Sequence, residues 1–207
     1  IVHLYEDRGV DCLKYLNGQF AFALWDRNNK RLFIARDRVG IRPLFYAFID
    51  GSMIFASEIK ALFTDNRVKR EIDPFALDQI FTFWTTVPPR TAFKDIFELP
   101  AAHYMIIENG NSKIKQYWDL DFTFNGSMTT EAEYAEQLRE LLIESTRLQL
   151  RADVPVGAYL SGGLDSSVIT TLITKYTNTP LRTFSVTFSD EVFDESEYQR
   201  EVIEYLN

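Results

Sequence analysis

The chain has 207 residues, of which 46% are hydrophobic and 25% charged, a composition typical of one large or two modest globular domains. Its net charge of −8 disfavours a broad surface for nucleic acid or for an anionic membrane, because an acidic surface repels phosphate groups. A single cysteine, Cys12, and two histidines exclude an internal disulfide and a Cys/His zinc site. No apolar run reaches the length of a membrane span, and residues 1–9 lack a signal-peptide pattern, so we expect a cytoplasmic protein.

The first half of the chain predicts a meander of β-strands in a layered antiparallel sheet. Residues 20–25 are a continuous apolar run, which is typical of a strand buried on both faces. Asp50-Gly51 and Asn109-Gly110 favour tight turns, each joining two strands into a hairpin. The predicted strands are residues 20–25, 31–36, 44–49, 53–56, 103–107 and 113–118.

One helix is predicted between these hairpins. Asp73 is a capping residue, and Pro74 suits the first helical position because proline lacks the amide that is unpaired there. The helix is expected to end near Phe83, because the Pro88-Pro89 pair cannot continue it.

The pattern changes after a candidate boundary at residues 122–128. Thr129 or Thr130 caps a helix with one apolar face. A strand, a helix, a second strand and a last helix follow, an order typical of an α/β domain with a parallel sheet. The apolar face consists of Tyr134, Leu138, Leu141, Leu142, Ser145 and Leu148, the strands are residues 154–160 and 182–188, and the later helices are residues 166–176 and 195–206.

The segment between the first of these strands and its helix has the sequence SGGLDSS, at residues 161–167. Gly162 and Gly163 allow the backbone to turn sharply and to approach a ligand closely. The free N–H groups at the start of a helix attract anions, and the three serines add hydroxyl donors. Asp165 suits a magnesium contact or a helix cap. A Walker loop is excluded because no Gly-Lys-Ser/Thr is present, but the residues alone leave both a phosphate site and a simple tight turn open.

The string SGGLDSS after a strand resembles the pyrophosphate loop of the N-type ATP pyrophosphatases, which cleave ATP between its α- and β-phosphates to adenylate a carboxylate or carbonyl. RADVPVG at residues 151–157 and FSVTF at residues 184–188 are similar to the asparagine synthetase version of this motif. The resemblance implies that Leu160 and Val186 meet the adenosine of ATP through backbone groups. It also implies that the pyrophosphate and its Mg²⁺ are held by six residues of the loop, Ser161, Gly162, Gly163, Asp165, Ser166 and Ser167. Of these, Asp165 is the one implied to contact the Mg²⁺.

The first half of the chain carries a second resemblance. RDRVGIRPL at residues 36–44 resembles the RDxxGxxPL signature of class II glutamine amidotransferases, and residues 16–26 and 56–62 are similar to the same family. From chemistry alone, Asp37 beside three arginines indicates a salt-bridged loop. The resemblance implies instead that Asp37 binds the α-amino group of glutamine, for which a fixed carboxylate is the natural partner.

The sequence also departs from that family. Its nucleophile is an N-terminal cysteine, whereas this chain begins with Ile1, and Cys12 stands at an ordinary helix position where we expect a packed or surface thiol. No residue is therefore assigned as catalytic. The second ATP-contacting segment and the aspartate-binding residues of the family are also absent, so we expect a chain truncated at both ends.

Together the resemblances predict the fold class. Residues 1–122 are expected to form the C-terminal part of a class II glutamine amidotransferase domain, an α+β N-terminal-nucleophile (glutaminase-like) layered β domain. Residues 123–207 are expected to form the N-terminal part of an asparagine synthetase ATP-pyrophosphatase domain, an α/β adenine-nucleotide α-hydrolase-like fold.

The function that the resemblance implies is asparagine synthesis through a β-aspartyl-adenylate. Glutamine, aspartate and ATP are the expected substrates, with Mg²⁺ as cofactor and no nucleic-acid or membrane partner, and a homodimer is left open. A phosphoribosyl amidotransferase would share the RDxxGxRPL segment but not SGGLDSS. A related amidotransferase or β-lactam-synthetase-like enzyme with a different acceptor would share both segments. A non-catalytic fragment is also compatible with the sequence, and this is what we expect of the isolated chain.

Overall fold

The structure, a computed structural model, describes residues 1–123, 129–190 and 192–206. The chain forms two compact units, Ile1–Phe122 and Thr123–Asn207. Most of the predicted boundary segment at residues 122–128 lies outside the described residues. None of the described helices is long and apolar enough to cross a membrane.

The first unit contains two antiparallel sheets, which confirms the predicted layered arrangement. Its helices are α1 (Val2–Arg8), a 3-10 helix (Gly9–Tyr15), α2 (Ile59–Leu62) and α3 (Pro74–Phe83). Its strands are β1 (Ala21–Asp26), β2 (Arg31–Arg36), β3 (Phe45–Ile49), β4 (Ser52–Ala56), β5 (Phe97–Glu98), β6 (His103–Glu108) and β7 (Asn111–Gln116). The strand order is β1-β2-β6-β7 in one sheet and β4-β3-β5 in the other.

Local sequence signals place two hairpin turns and helix α3 of this unit correctly, whereas α1, the 3-10 helix and α2 were not predicted. β3 pairs with β4 across Asp50-Gly51, and β6 pairs with β7 across Asn109-Gly110, so both predicted hairpins are confirmed. α3 begins at Pro74, where the carboxylate of Asp73 accepts a hydrogen bond from the backbone N–H of Phe75.

Strand β2 supplies both hydrophobic cores of the first unit, because successive side chains of a strand point to opposite faces. Phe33 belongs to a cluster with the buried Cys12 on one face, and Ile34 belongs to a cluster with Leu44 on the other. β1 lies at the sheet edge and leaves Trp25 57% exposed. The prediction that residues 20–25 are buried on both faces is therefore wrong: Ala23 and Trp25, which share one face, are exposed, and an apolar run does not reveal whether a further layer covers that face.

The second unit contains the predicted alternation of helices and strands. Its elements are α4 (Glu131–Gln149), β8 (Gly157–Tyr159), α5 (Leu164–Tyr176), β9 (Arg182–Phe184) and α6 (Ser196–Leu206). β8 and β9 are parallel, as predicted, although both are shorter than expected. Thr130 caps α4 through a reciprocal pair of hydrogen bonds with Glu133. The apolar face of α4 is exposed in the described structure, with Leu138 57% and Leu141 68% accessible.

Candidate functional site

The candidate site lies where β8 and β9 leave their sheet. Tyr159 pairs with Phe184, so the two parallel strands end at the same edge. Leu160 follows directly: its N–H donates to the carbonyl of Phe184 (2.9 Å) and its carbonyl accepts from the hydroxyl of Ser185 (2.7 Å). The Leu160 side chain is almost fully buried. The loop that begins at Ser161 is thus fixed at its first end.

Gly162 makes the turn of this loop. Its φ is +90°, a conformation that residues with a side chain rarely adopt. A Cβ on Gly162 would also lie 2.8 Å from the Cβ of Tyr198 and 3.2 Å from the backbone nitrogen of Gln199, both in α6. Because these are backbone or backbone-linked atoms that cannot move aside easily, only glycine fits between the loop and α6.

The second end of the loop is the start of α5. Gly163 is the N-cap in extended conformation, and no side chain caps the helix. The amide groups of Leu164, Asp165 and Ser166 therefore have no partner within the helix, and they stand at the positive end of its dipole. α5 begins at Leu164, two residues earlier than predicted, so Asp165 lies inside the first turn.

Asp165 is not a helix cap, which rules out that role for its carboxylate. The residue is exposed, and within the described part of the chain its carboxylate has no ion pair. Mg²⁺ bound to nucleotides is held by one or two carboxylates together with phosphate oxygens. The described residues contain no group of three or more potential metal ligands, so a metal at Asp165 would depend on such phosphate oxygens.

The three serines of the loop bond to the loop itself. The Oγ of Ser166 accepts from the backbone N–H of Ser161 (3.2 Å) and lies 3.0 Å from the Oγ of Ser161. The hydroxyls of Ser166 and Ser167 both donate to the carbonyl of Gly163, at 3.1 and 2.7 Å. Since a hydroxyl hydrogen rotates freely about its C–O bond, each serine can redirect its donor to a ligand oxygen without moving the backbone.

Val186 is brought to the same place by a residue that the sequence did not reveal. The side-chain amide of Gln199, in α6, donates to the carbonyl of Val186 (3.1 Å) and to that of Ser161 (3.4 Å). Gln199 is 5% exposed, although one glutamine in a polar helix carries no sequence signal of burial. All eight residues predicted to bind ATP therefore lie around one strand edge: Leu160, Ser161, Gly162, Gly163, Asp165, Ser166, Ser167 and Val186.

The residues present fit a nucleotide polyphosphate. Amides without a helical partner at a helix N-terminus and rotatable hydroxyls are donors of the kind that bind phosphate oxygens, and they act without a positively charged side chain. The exposed carboxylate of Asp165 would oppose a bare phosphate but suits a phosphate-bound Mg²⁺. The eight assignments stay predictions, with a geometry that allows them.

Asp37, the other predicted site residue, lies in the first unit and is fully buried. Its Oδ1 accepts from the backbone N–H groups of Val39 (3.3 Å) and Ile41 (3.0 Å). Its Oδ2 accepts from those of Phe20 (3.3 Å) and Arg42 (3.0 Å). Burial by itself raises the pKa of this carboxyl, but the four amide donors together lower it below its ordinary value. Backbone amides, not arginine side chains, therefore hold Asp37, and the salt-bridge interpretation is wrong.

The buried side chain of Arg36 does not pair with Asp37 and stabilises the same loop through other groups. Its guanidinium pairs with Glu98 (2.5 Å) and donates to the carbonyls of Leu99, Gly40 and Arg42, at 2.7, 2.7 and 2.8 Å. A Cβ on Gly40, whose φ is +71°, would come within 3.1 Å of the guanidinium carbon. The RDxxG part of the signature thus forms a loop in which the arginine, the aspartate and the glycine each have a structural task.

This geometry corrects the role predicted for Asp37. An ammonium group needs an accessible carboxylate oxygen, whereas both oxygens of Asp37 are covered and each already accepts two amides. We therefore assign Asp37 to the stability of the loop and not to glutamine binding.

Comparison with known proteins gives a separate family for each half of the chain. Residues 1–118 match the family described as glutamine amidotransferase domain, and residues 137–207 match the family described as asparagine synthase. A protein of Methanocaldococcus jannaschii, provisionally named asparagine synthetase [glutamine-hydrolyzing] 2, is 31% identical over 100% of this chain and 40% of its own length. Asparagine synthetase [glutamine-hydrolyzing] 3 of Bacillus subtilis is 35% identical over 96% of this chain and 33% of its own length.

Two further matches are less direct. The protein named Amidase chry2, of Gibberella zeae, is 35% identical over 84% of this chain and 26% of its own length. Among solved structures, the glutamine phosphoribosylpyrophosphate amidotransferase of B. subtilis in complex with ADP and GMP aligns with 97% of this chain and 42% of its own, at 15% identity. Its TM-score of 0.38 is too low to support a conclusion.

The first unit thus defines the class of protein: a glutamine amidotransferase domain, matched over more than half of the chain. With the asparagine synthase segment that follows it, the chain belongs to the family of glutamine-hydrolysing asparagine synthetases. The chain spans between a third and two fifths of the length of the first two relatives.

Proposed function

We propose that residues 160–167 and Val186 bind ATP with Mg²⁺, and that the full gene product uses this ATP to make asparagine from aspartate and glutamine. The observation that supports the proposal is the uncapped start of α5 directly after the Gly162 turn. Amide groups without a helical partner at the positive end of a dipole favour a polyphosphate over water.

In this proposal the carboxylate of the aspartate substrate attacks the α-phosphate of ATP, and pyrophosphate leaves. The product, a β-aspartyl-adenylate, has AMP as its leaving group, so ammonia released from glutamine can displace it and form the amide. This chain contributes donors that offset the charge of the departing pyrophosphate: the amides of the first turn of α5 and the hydroxyls of Ser161, Ser166 and Ser167. Mg²⁺ at Asp165 would add positive charge beside the same oxygens.

The backbone around Leu160 and Val186 is proposed to receive the adenosine. The two residues follow neighbouring parallel strands, and binding sites of α/β sheets lie outside the carboxyl ends of such strands. In both residues the carbonyl already accepts one hydrogen bond, from Ser185 and Gln199 respectively, which fixes the orientation of both peptide groups.

The change Asp165→Ala in the full gene product separates the two activities. Since Asp165 lies in the unit with the loop and not in the amidotransferase unit, asparagine formation should fall about a hundredfold or more while basal glutamine hydrolysis is kept. The matched control is Glu140→Ala, which removes the same charge from the exposed surface of α4. Equal loss of both activities would count against this role of Asp165.

The identity of the acceptor is tested by ATP–pyrophosphate exchange. The proposal predicts that exchange of labelled pyrophosphate into ATP requires aspartate and is lost with Asp165→Ala. The similarity to Amidase chry2 keeps a second acceptor class under consideration, because that relative bears another name. Exchange that ignores aspartate but responds to another carboxylic acid would replace aspartate and leave the ATP site in place.

A further inference from the structure

Gln199, a buried polar residue of α6, contacts both chain segments of the candidate ATP site. We propose that it is a positioning residue, which holds the Ser161–Gly162 and Val186–Thr187 peptide groups in the orientation that ATP requires. The inference rests on the proposed nucleotide site and adds to it a residue that no motif indicates.

In a trans peptide the C=O and N–H groups point in opposite directions, so fixing the direction of one group fixes that of the other. The Gln199 amide holds the carbonyl of Ser161 toward α6, at 3.4 Å from its Nε2. The N–H of Gly162 must then point away from Gln199, toward the side of the loop that does not face α6.

The conformation of Gly162 makes this restraint necessary. A glycine populates positive and negative φ about equally well, so the peptide before it can rotate at little cost. Rotation would exchange the Gly162 N–H for the Ser161 carbonyl on the ligand side. A phosphate oxygen bound on that side would then meet a carbonyl oxygen of the same charge sign instead of an N–H donor.

The second N–H of the Gln199 amide acts in the same way on the other segment. It donates to the carbonyl of Val186 at 3.1 Å, and a primary amide nitrogen has two hydrogens, one for each carbonyl. The donor side of both bonds is shielded from water, since Gln199 is only 5% exposed. One side chain therefore couples the proposed phosphate segment to the proposed adenosine segment, 25 residues apart in the sequence.

The first test measures ATP affinity by isothermal titration calorimetry of the 207-residue chain with ATP and Mg²⁺. Gln199→Met keeps the length of the side chain and removes both donors, and it should weaken ATP binding about tenfold. The control is Gln137→Met, the same replacement on the exposed surface of α4, which should leave the affinity unchanged. Equal affinities for Gln199→Met and the unchanged chain would overturn the proposal.

Gln199→Glu distinguishes positioning from mere packing. A protonated carboxylic acid donates one hydrogen bond to a carbonyl, whereas a carboxylate can only accept and repels both carbonyls. The affinity of Gln199→Glu relative to the unchanged chain at the same pH should therefore recover as the pH is lowered through the pKa of the new carboxyl. Gln199→Met should show no such recovery, and a ratio for Gln199→Glu that does not depend on pH would refute the hydrogen-bonding role.

Failure of the unchanged chain to bind ATP would count against the proposed function. The positioning role of Gln199 would then still be tested by NMR of the backbone amides, which needs no ATP. Gly162 and Thr187 carry the N–H groups of the two restrained peptides. Without ATP, Gln199→Met should shift both signals and speed their hydrogen exchange, whereas Gln137→Met should not. Unchanged signals would show that Gln199 does not hold these peptides, whatever the loop binds.

Discussion

Replacing Asp37 by asparagine tests whether its carboxylate is a structural or a ligand-binding group. The isosteric amide keeps one acceptor oxygen, but its NH₂ group faces two of the backbone N–H donors that now bond to a carboxylate oxygen. Hydrogen bonds to charged groups contribute about 1.5–3 kcal/mol each, and the loop amides can partly rehydrate once they lose their partner. We therefore expect Asp37→Asn to lower the free energy of unfolding of the first unit by about 2–4 kcal/mol.

Urea unfolding followed by tryptophan fluorescence measures this loss selectively, because Trp25, Trp84 and Trp118 all lie in the first unit. The control, Asp78→Asn, changes an exposed residue of α3 and should stay within about 0.5 kcal/mol of the unchanged chain.

The same substitution has a pH dependence of known sign. Because the folded-state pKa of Asp37 is lowered, its stabilisation is fully present above the ordinary carboxyl pKa of about 4 and is lost as the pH falls through the lower folded value. The difference in the free energy of unfolding between the unchanged chain and Asp37→Asn should become smaller over that acid range. A loss below about 1 kcal/mol at neutral pH, together with weakened glutamine binding, would refute the structural role and restore the ligand-binding one.

Two further predictions concern a steric restriction in the second unit and a titrating group in the first. Gly162→Ala places a Cβ 2.8 Å from that of Tyr198 at a φ of +90°, so it should destabilise the second unit by about 2–4 kcal/mol, measured by the helical circular-dichroism signal in urea. Gly163→Ala meets only the Ser161 hydroxyl at 3.3 Å and should cost about 1 kcal/mol or less; equal losses would contradict the steric argument. The phenol of Tyr117 donates to the carbonyl of Arg36 (2.9 Å), and burial raises the pKa of this phenol to about 12. The contribution of the phenol to the stability of the first unit is therefore present below its ordinary pKa of about 10 and is lost as the pH rises toward 12. Tyr117→Phe should therefore be about 1 kcal/mol less stable near pH 8 and lose this deficit in strongly alkaline urea titrations, whereas a deficit that stays constant would argue against the titration of this phenol.

Prediction from sequence succeeded where turn and capping residues determine the local structure. The hairpin turn at Asp50-Gly51 and the cap at Asp73 depend on residues within a few positions of each other, so the local sequence alone locates them. The loop at residues 161–167 was located by its own seven residues and by the strand before it. Its neighbour in space, α6, was predicted as a helix, but its contact with Gly162 was not.

The environment of Asp37 shows why adjacency in sequence misled the prediction. Three arginines near the carboxylate suggested ion pairs, yet the guanidinium of Arg36 reaches Glu98, 62 residues away, and the carboxylate turns to backbone amides. Sequence gives the distance along the chain, whereas the partner of a charged group is set by which elements pack together.

The sequence by itself determined the two-part organisation, the antiparallel and parallel character of the sheets, and the loop that carries the phosphate-binding pattern. These features rest on hydrophobic periodicity, turn residues and capping, which act over a few residues. Only the tertiary structure decided that β1 is an edge strand, that Asp37 is closed to ligands, and that Gln199 reaches the carbonyl of Ser161 across 38 residues. Each of these depends on which surfaces exclude water from one another, and that is settled when distant segments pack.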